Sequence, residues 1–110
     1  MAETAAICLK GRQAEFGPAL ELAPDVVYAG RAMCQGGWRL PASVFANPFK
    51  VQKVGGAAKA VELYRERLRS RPDLVALARE RLRGRRLGCW CASGPCHAAA
   101  LAEISEGAAP

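Results

Sequence analysis

The sequence predicts a small α/β domain, a sheet with packed helices and a site at the carboxyl ends of its strands. Three observations carry this expectation. Short apolar runs bounded by turn residues alternate with segments of helical period, in the order strand, helices, strand, helix, which is the pattern of sheet domains with right-handed crossovers. The chain has 110 residues, a length at which folding buries roughly 65% of the unfolded chain's surface, enough for a single core and too little for two domains. Three cysteines and the single histidine crowd into residues 89–97, at the end of the second strand and just beyond it, and open α/β sheets bind ligands beyond the carboxyl ends of their strands.

From the N-terminus, Ile7-Cys8-Leu9 is a short apolar piece, followed by a polar connection through Gly11, Arg12, Gln13 and Glu15 to a Pro24-Asp25 turn. Val26-Val27-Tyr28-Ala29, β-branched and aromatic, stands between Asp25 and Gly30-Arg31 and reads as a buried strand. Residues 32–56 are broken by Gly36-Gly37, Pro41, Pro48 and Gly55-Gly56, with Trp38, Leu40, Val44, Phe45 and Phe49 as apolar anchors. A loop of this length in a small domain is usually functional. The period then turns helical: Ala57, Val61, Tyr64 and Leu68 form one stripe, predicting a helix from Gly56 to Ser70. Pro72 at a first-turn position beside Asp73 opens a second helix over Leu74, Val75, Ala78 and Leu82, closed by Gly84. Residues 85–91 alternate as a strand, with Leu87, Cys89 and Cys91 on one face and Gly88 and Trp90 on the other. After the Ser93-Gly94-Pro95 turn, a last helix from Cys96 to about Glu106 buries Ala100, Leu101 and Ile104.

Composition narrows the function classes. The longest apolar stretches fall well short of the ~18 residues of a membrane span. Met1-Ala2-Glu3-Thr4-Ala5 carries an acid where a signal peptide is basic, so a cytoplasmic location is expected. In a reducing compartment five cysteines, an odd number, speak for metal or thiol chemistry over a disulfide framework. Cys8 and Cys34 stand alone and receive no role.

Cys89-x-Cys91-x4-Cys96-His97 supplies three thiols and an imidazole, the ligand set of a tetrahedral zinc site. In an extended strand, Cys89 and Cys91 have Cα atoms about 6.6 Å apart and Cβ atoms too distant for an unstrained disulfide, whereas thiolates sharing a zinc need only approach to roughly 4 Å. The same residues allow a nucleophilic site, with Cys91 or Cys96 as the thiol and His97 as acid or base. Successive helical residues point about 100° apart, so His97 is poorly aimed at Cys96 and better placed for Cys91 or a substrate. They also allow small buried cysteines beside a hydrogen-bonded histidine.

Taken together, Val27-Tyr28-Ala29-Gly30-Arg31, Ala46-Asn47-Pro48-Phe49, Tyr64 and Leu87-Gly88-Cys89-Trp90-Cys91-x4-Cys96-His97 resemble the family called domain of unknown function 4326, small proteins of bacteria and phages. The likeness runs over most of the chain. It implies a shared fold and a shared site, and brings no activity with it. Two departures stand out: the family's usual proline falls at Ser93, and its usual Gly-Asp after Cys-His falls at Ala98 and Ala99.

Residues 65–86 hold nine arginines against Glu66, Asp73 and Glu80, a local balance as large as the whole chain's +6. Such a patch suits the phosphates of a nucleotide or nucleic acid. It equally suits the solvated faces of two helices, with Glu62 and Arg65, and Glu66 and Arg69, as surface pairs. No aromatic is interleaved as a stacking platform for single strands. Arg31, after a buried strand and a glycine, is an anion clamp or a plain strand-end arginine. Asn47 caps its own backbone or presents its amide to a ligand. The sequence thus favours a zinc domain with Cys89, Cys91, Cys96 and His97 as ligands, binding a nucleotide or nucleic acid beside Arg31 and Asn47. The alternatives are a cysteine- and histidine-dependent enzyme on a nucleotide or nucleoside, and a structural accessory domain.

Overall fold

The computed structural model describes residues 3–90 and 95–110. Three parallel strands, β1 (Ala5–Cys8), β2 (Val26–Tyr28) and β3 (Arg86–Cys89), form one sheet in the order β1-β3-β2. The register sets Cys8 beside Cys89 and Tyr28 beside Gly88, so all three strands end at one rim. The α/β expectation is thereby met, with Ile7 and Cys8 of the first apolar piece belonging to a further strand that starts at Ala5 and ends before Leu9. A central parallel strand is buried on both faces, and strand alternation assigns its side chains to opposite sides. Leu87 and Cys89 pack with Val27 and Ala6 in one cluster, whereas Trp90, Tyr28, Val26 and Ile7 belong to another. The core is therefore split by the sheet, where the length had suggested one.

The first cluster is covered by α3 (Ala57–Arg69), α4 (Pro72–Arg81) and α5 (His97–Ser105). The stripe of α3 that goes under is Ala60, Tyr64 and Leu68; Ala57 and Val61 sit at its margin. Pro72 begins α4 as expected, with Asp73 in the first turn. Cys96 is the N-cap of α5 on extended backbone, so the helix opens one residue later than predicted and Pro95 lies outside it. Ala98, Leu101 and Ile104 are fully buried, and the small Ala98, Ala100 and Ala102 let α5 lie close to β1 and β3.

The second cluster is made of connections. Leu9, Phe16 of the one-turn helix α1 (Gln13–Phe16), Leu20, Trp38 and Leu40 cover the opposite face. Gly88 leaves room there: a Cβ on it would stand 2.7 Å from the Leu9 side chain. The long loop is less irregular than it reads, with a Met33 to Leu40 bridge and a short helix α2 (Val51–Val54) closed by Gly55 in the left-handed region. Trp38, Leu40 and Phe45 anchor it, Phe49 is half-buried, and Val44 points outward at 61% exposure. None of the described helices is long and apolar enough to cross a membrane.

Candidate functional site

Where β2 ends, the chain must leave the sheet, and Tyr28 fixes how. Its hydroxyl donates to the Arg31 carbonyl and accepts from the Trp90 indole Nε1 at 2.8 Å. Gly30 is required by that bond, since a Cβ there would stand 2.5 Å from the phenol oxygen. Burial pushes the Tyr28 phenol above its ordinary range, keeping it a proton donor at neutral pH. Trp90 stands edge-on between Tyr28 and Trp38, with ring centroids 6.2 and 5.4 Å away.

Asn47 holds the facing loop. Its Oδ1 accepts from the Phe49 amide at 3.0 Å, and its Nδ2 donates to the Ala60 carbonyl on α3 at 3.2 Å. Its own carbonyl then receives both Nε and Nη2 of Arg31, at 3.0 and 2.7 Å. Arg31 and Asn47 are thus brought together, with the asparagine positioning the guanidinium. Among the described residues, Arg31 Nη1 has no protein acceptor.

His97, the first residue of α5, reaches back to β2: Nε2 lies 2.7 Å from the Ala29 carbonyl. A carbonyl only accepts, so Nε2 carries the proton and Nδ1 is left as an acceptor in the neutral ring. Tyr64 supports the imidazole edge-on at 5.1 Å and donates its hydroxyl to the Phe45 carbonyl at 2.8 Å. Tyr28, Arg31, Asn47, Phe49, Trp90 and His97 all border one cleft of about 450 Å3 beyond the strand ends. A larger groove of about 610 Å3 between β1 and α5 is lined by alanines, Glu3, Glu103 and Glu106, and by none of these residues.

The cysteines divide. Cys96 Sγ lies 3.4 Å from Cys89 Sγ, which itself donates to the Ile7 carbonyl at 3.3 Å. Both sulfurs sit behind the cleft, on the α-helical side of the sheet. Cys91 lies outside the described residues. Among the described residues no three His, Cys, Asp or Glu side chains converge as metal ligands. Cys8 is half-buried at the end of β1, and Cys34 is exposed on the loop.

Six of the nine arginines of the basic segment find partners within the chain while staying half-buried or exposed. Arg65 pairs with Glu103 at 2.7 Å, Arg71 with Asp73 at 2.8 Å and Arg86 with Asp25 at 2.7 Å. Arg79 donates to the carbonyls of Ile104, Gly107 and Ala108, Arg83 to that of Ser105, and Arg85 to that of Pro24. Arg79 and Arg83 thereby complete the carboxyl end of α5, where unpaired carbonyls and the helix dipole favour a cation. The expected surface pairs are replaced: Glu62 takes Lys59 at 3.5 Å, and Arg65 crosses to α5 because α3 and α5 pack side by side.

In the sequence, Tyr28 and Trp90 stand only as strand residues. The usable signal was strand alternation, because the residue two beyond Gly88 shares a face with Tyr28 on the neighbouring strand.

The sequence profile described as domain of unknown function (DUF4326) matches residues 14–107, a span holding every cleft residue named above. The chain belongs to the DUF4326 family. The DUF4326 description states no activity. A curated relative, "Uncharacterized protein R718" of Acanthamoeba polyphaga mimivirus, is 40% identical over 65 residues, covering 59% of this chain and 48% of that protein. This DUF4326 chain therefore matches about half the length of that viral relative. No solved structure matches it.

Proposed function

We propose that the cleft at the strand ends binds a small phosphate-bearing ligand, a nucleotide, with Arg31 on the phosphate and the base against the aromatic wall of Trp90 and Phe49. One observation carries the reading: an arginine held by two hydrogen bonds to Asn47, the Trp90 indole and the His97 imidazole meet at one cleft from separate segments of the chain. A fixed guanidinium loses little freedom on meeting a phosphate and presents its remaining donors in a set direction. Nucleic acid is a weaker fit, because six of the nine arginines of residues 65–86 already hold acids or carbonyls of this chain. The enzyme alternative keeps His97 as acid or base; of its two candidate thiols, Cys96 does not border the cleft and Cys91 lies outside the described residues.

Titration with nucleoside 5′-mono- and triphosphates, followed by calorimetry and tryptophan emission, tests this. Binding by wild type and a loss of roughly 10- to 100-fold in Arg31→Ala is the expected result, the size of one or two charge-assisted contacts. Arg31→Ala binding as tightly as wild type, or folded wild type binding no nucleotide at millimolar concentration, rejects it.

Zinc is the second reading, favoured by the 3.4 Å approach of Cys89 and Cys96. Sulfurs sharing one zinc stand at about that separation, given Zn to S distances of about 2.3 Å. Elemental analysis of protein purified under reducing conditions decides it. About one zinc per chain, lost when Cys91 and Cys96 are both changed to serine, establishes the metal; metal-free folded protein rejects it.

A further inference from the structure

The geometry points to Cys89 and Cys96 as a modification site of their own, a thiol pair that a hydroperoxide converts to a disulfide across the junction of β3 and α5. The two sulfurs come from different elements, yet stand 3.4 Å apart. Cys89 is 2% exposed inside the sheet, whereas Cys96 is half-buried at the N-cap of α5 and within reach of a small oxidant. That asymmetry assigns the order of events. The Cys96 sulfur attacks the peroxide, forming an S–O bond as the O–O bond breaks; the leaving alkoxide takes the thiol proton and departs as alcohol. Cys89 then attacks the sulfenic sulfur, forming the S–S bond as the S–O bond breaks, and its proton leaves with the hydroxyl as water. Two thiols are oxidised by two electrons in all, and one peroxide is reduced to alcohol and water.

A disulfide needs sulfurs about 2.05 Å apart, so closure brings the two sulfurs, one on β3 and one at the start of α5, over 1 Å nearer each other. The chain neighbours of this pair, Trp90 and His97, border the cleft, so the bond is felt at its walls. This coupling rests on the cleft reading above only for its effect on a ligand; the bond and its effect on Trp90 do not. Reduced, full-length protein is treated with a small molar excess of hydrogen peroxide, alkylated, digested without reductant and mapped by mass spectrometry, with tryptophan emission recorded alongside. The expected result is a dithiothreitol-reversible Cys89–Cys96 peptide pair in wild type and in Cys91→Ser, with changed emission. Cys89→Ala, which keeps the buried site small and apolar, is expected to stop at oxidised Cys96 with emission like that of the reduced form. Linkage through Cys8, Cys34 or Cys91 instead, sulfinic acid without a disulfide, or thiols that react only after a chelator removes zinc would overturn the proposal. Unchanged emission in mapped, disulfide-bonded protein overturns the coupling to the cleft.

Discussion

Tyr64→Ala costs the domain a large part of its stability. Tyr64 is 1% exposed on α3, and its ring fills the space between the sheet, α5 and the long loop. Truncating a buried aromatic costs about 3–5 kcal/mol, and here the Phe45 carbonyl also loses its partner at 2.8 Å. A domain of this size has roughly 5–15 kcal/mol in total, so a third or more of the margin goes. Urea unfolding followed by far-UV circular dichroism checks it, and a midpoint within 0.5 M urea of wild type, as an order of magnitude from the usual slope, would show that α3 is not the keystone described. Tyr64→Phe separates the hydroxyl from the ring and is expected to cost about 1–2 kcal/mol. Its pH dependence carries a sign. Burial pushes the Tyr64 phenol well above its ordinary range, so between the unfolded value of about 10 and the higher folded one the native state binds more protons than the unfolded state. The contribution is complete below about pH 10 and is lost as pH rises beyond it. Tyr28 shifts the same way for the same first cause. Alkaline unfolding should therefore be shallower in Tyr64→Phe than in wild type, without vanishing.

What the sequence made legible follows from what local pattern can encode. α4 announced both its ends, because Pro72 opens it and Gly84 follows it, and β2 was bounded by Asp25 and Gly30. β1 was seen only as an apolar piece: Ala5-Ala6-Ile7-Cys8 has weak strand propensity and is held by pairing with Arg86 to Cys89, some 80 residues away. The short helix α2 hid among glycines and prolines because its one turn leans on α3. At the rim, Arg31, Asn47 and His97 could be named from sequence as candidates, but not their relations, since Arg31 meets a backbone carbonyl and His97 meets the Ala29 carbonyl. Backbone partners leave no trace in side-chain identity. The arginine-rich segment was legible as charge but not as pairing, since six of its nine guanidinium groups meet acids or carbonyls of α4, α5, the β2 entry turn and the C-terminal residues.

Asn47→Ala gives the second large effect, and it separates a positioning residue from a binding one. Asn47 is 8% exposed and its side chain joins three things: the turn to Phe49, the carbonyl of Ala60 on α3, and through its own backbone the Arg31 guanidinium. Removing the amide leaves the buried Ala60 carbonyl short of a partner and the Phe49 N–H unmet, at roughly 2–4 kcal/mol together. The Asn47 carbonyl that holds Arg31 is still present in the alanine variant, but the turn that aims it is not. Thermal unfolding should therefore show a clear loss of stability, and nucleotide titration below the unfolding temperature should show weaker binding than wild type and stronger binding than Arg31→Ala. In Asn47→Ala on an Arg31→Ala background, the stability loss should persist while the affinity loss due to Asn47 disappears, because the group it positions is gone. Additive affinity losses would mean instead that the Asn47 amide touches the ligand directly, and that the hydrogen bonds to Ala60 and Phe49 open when the cleft fills.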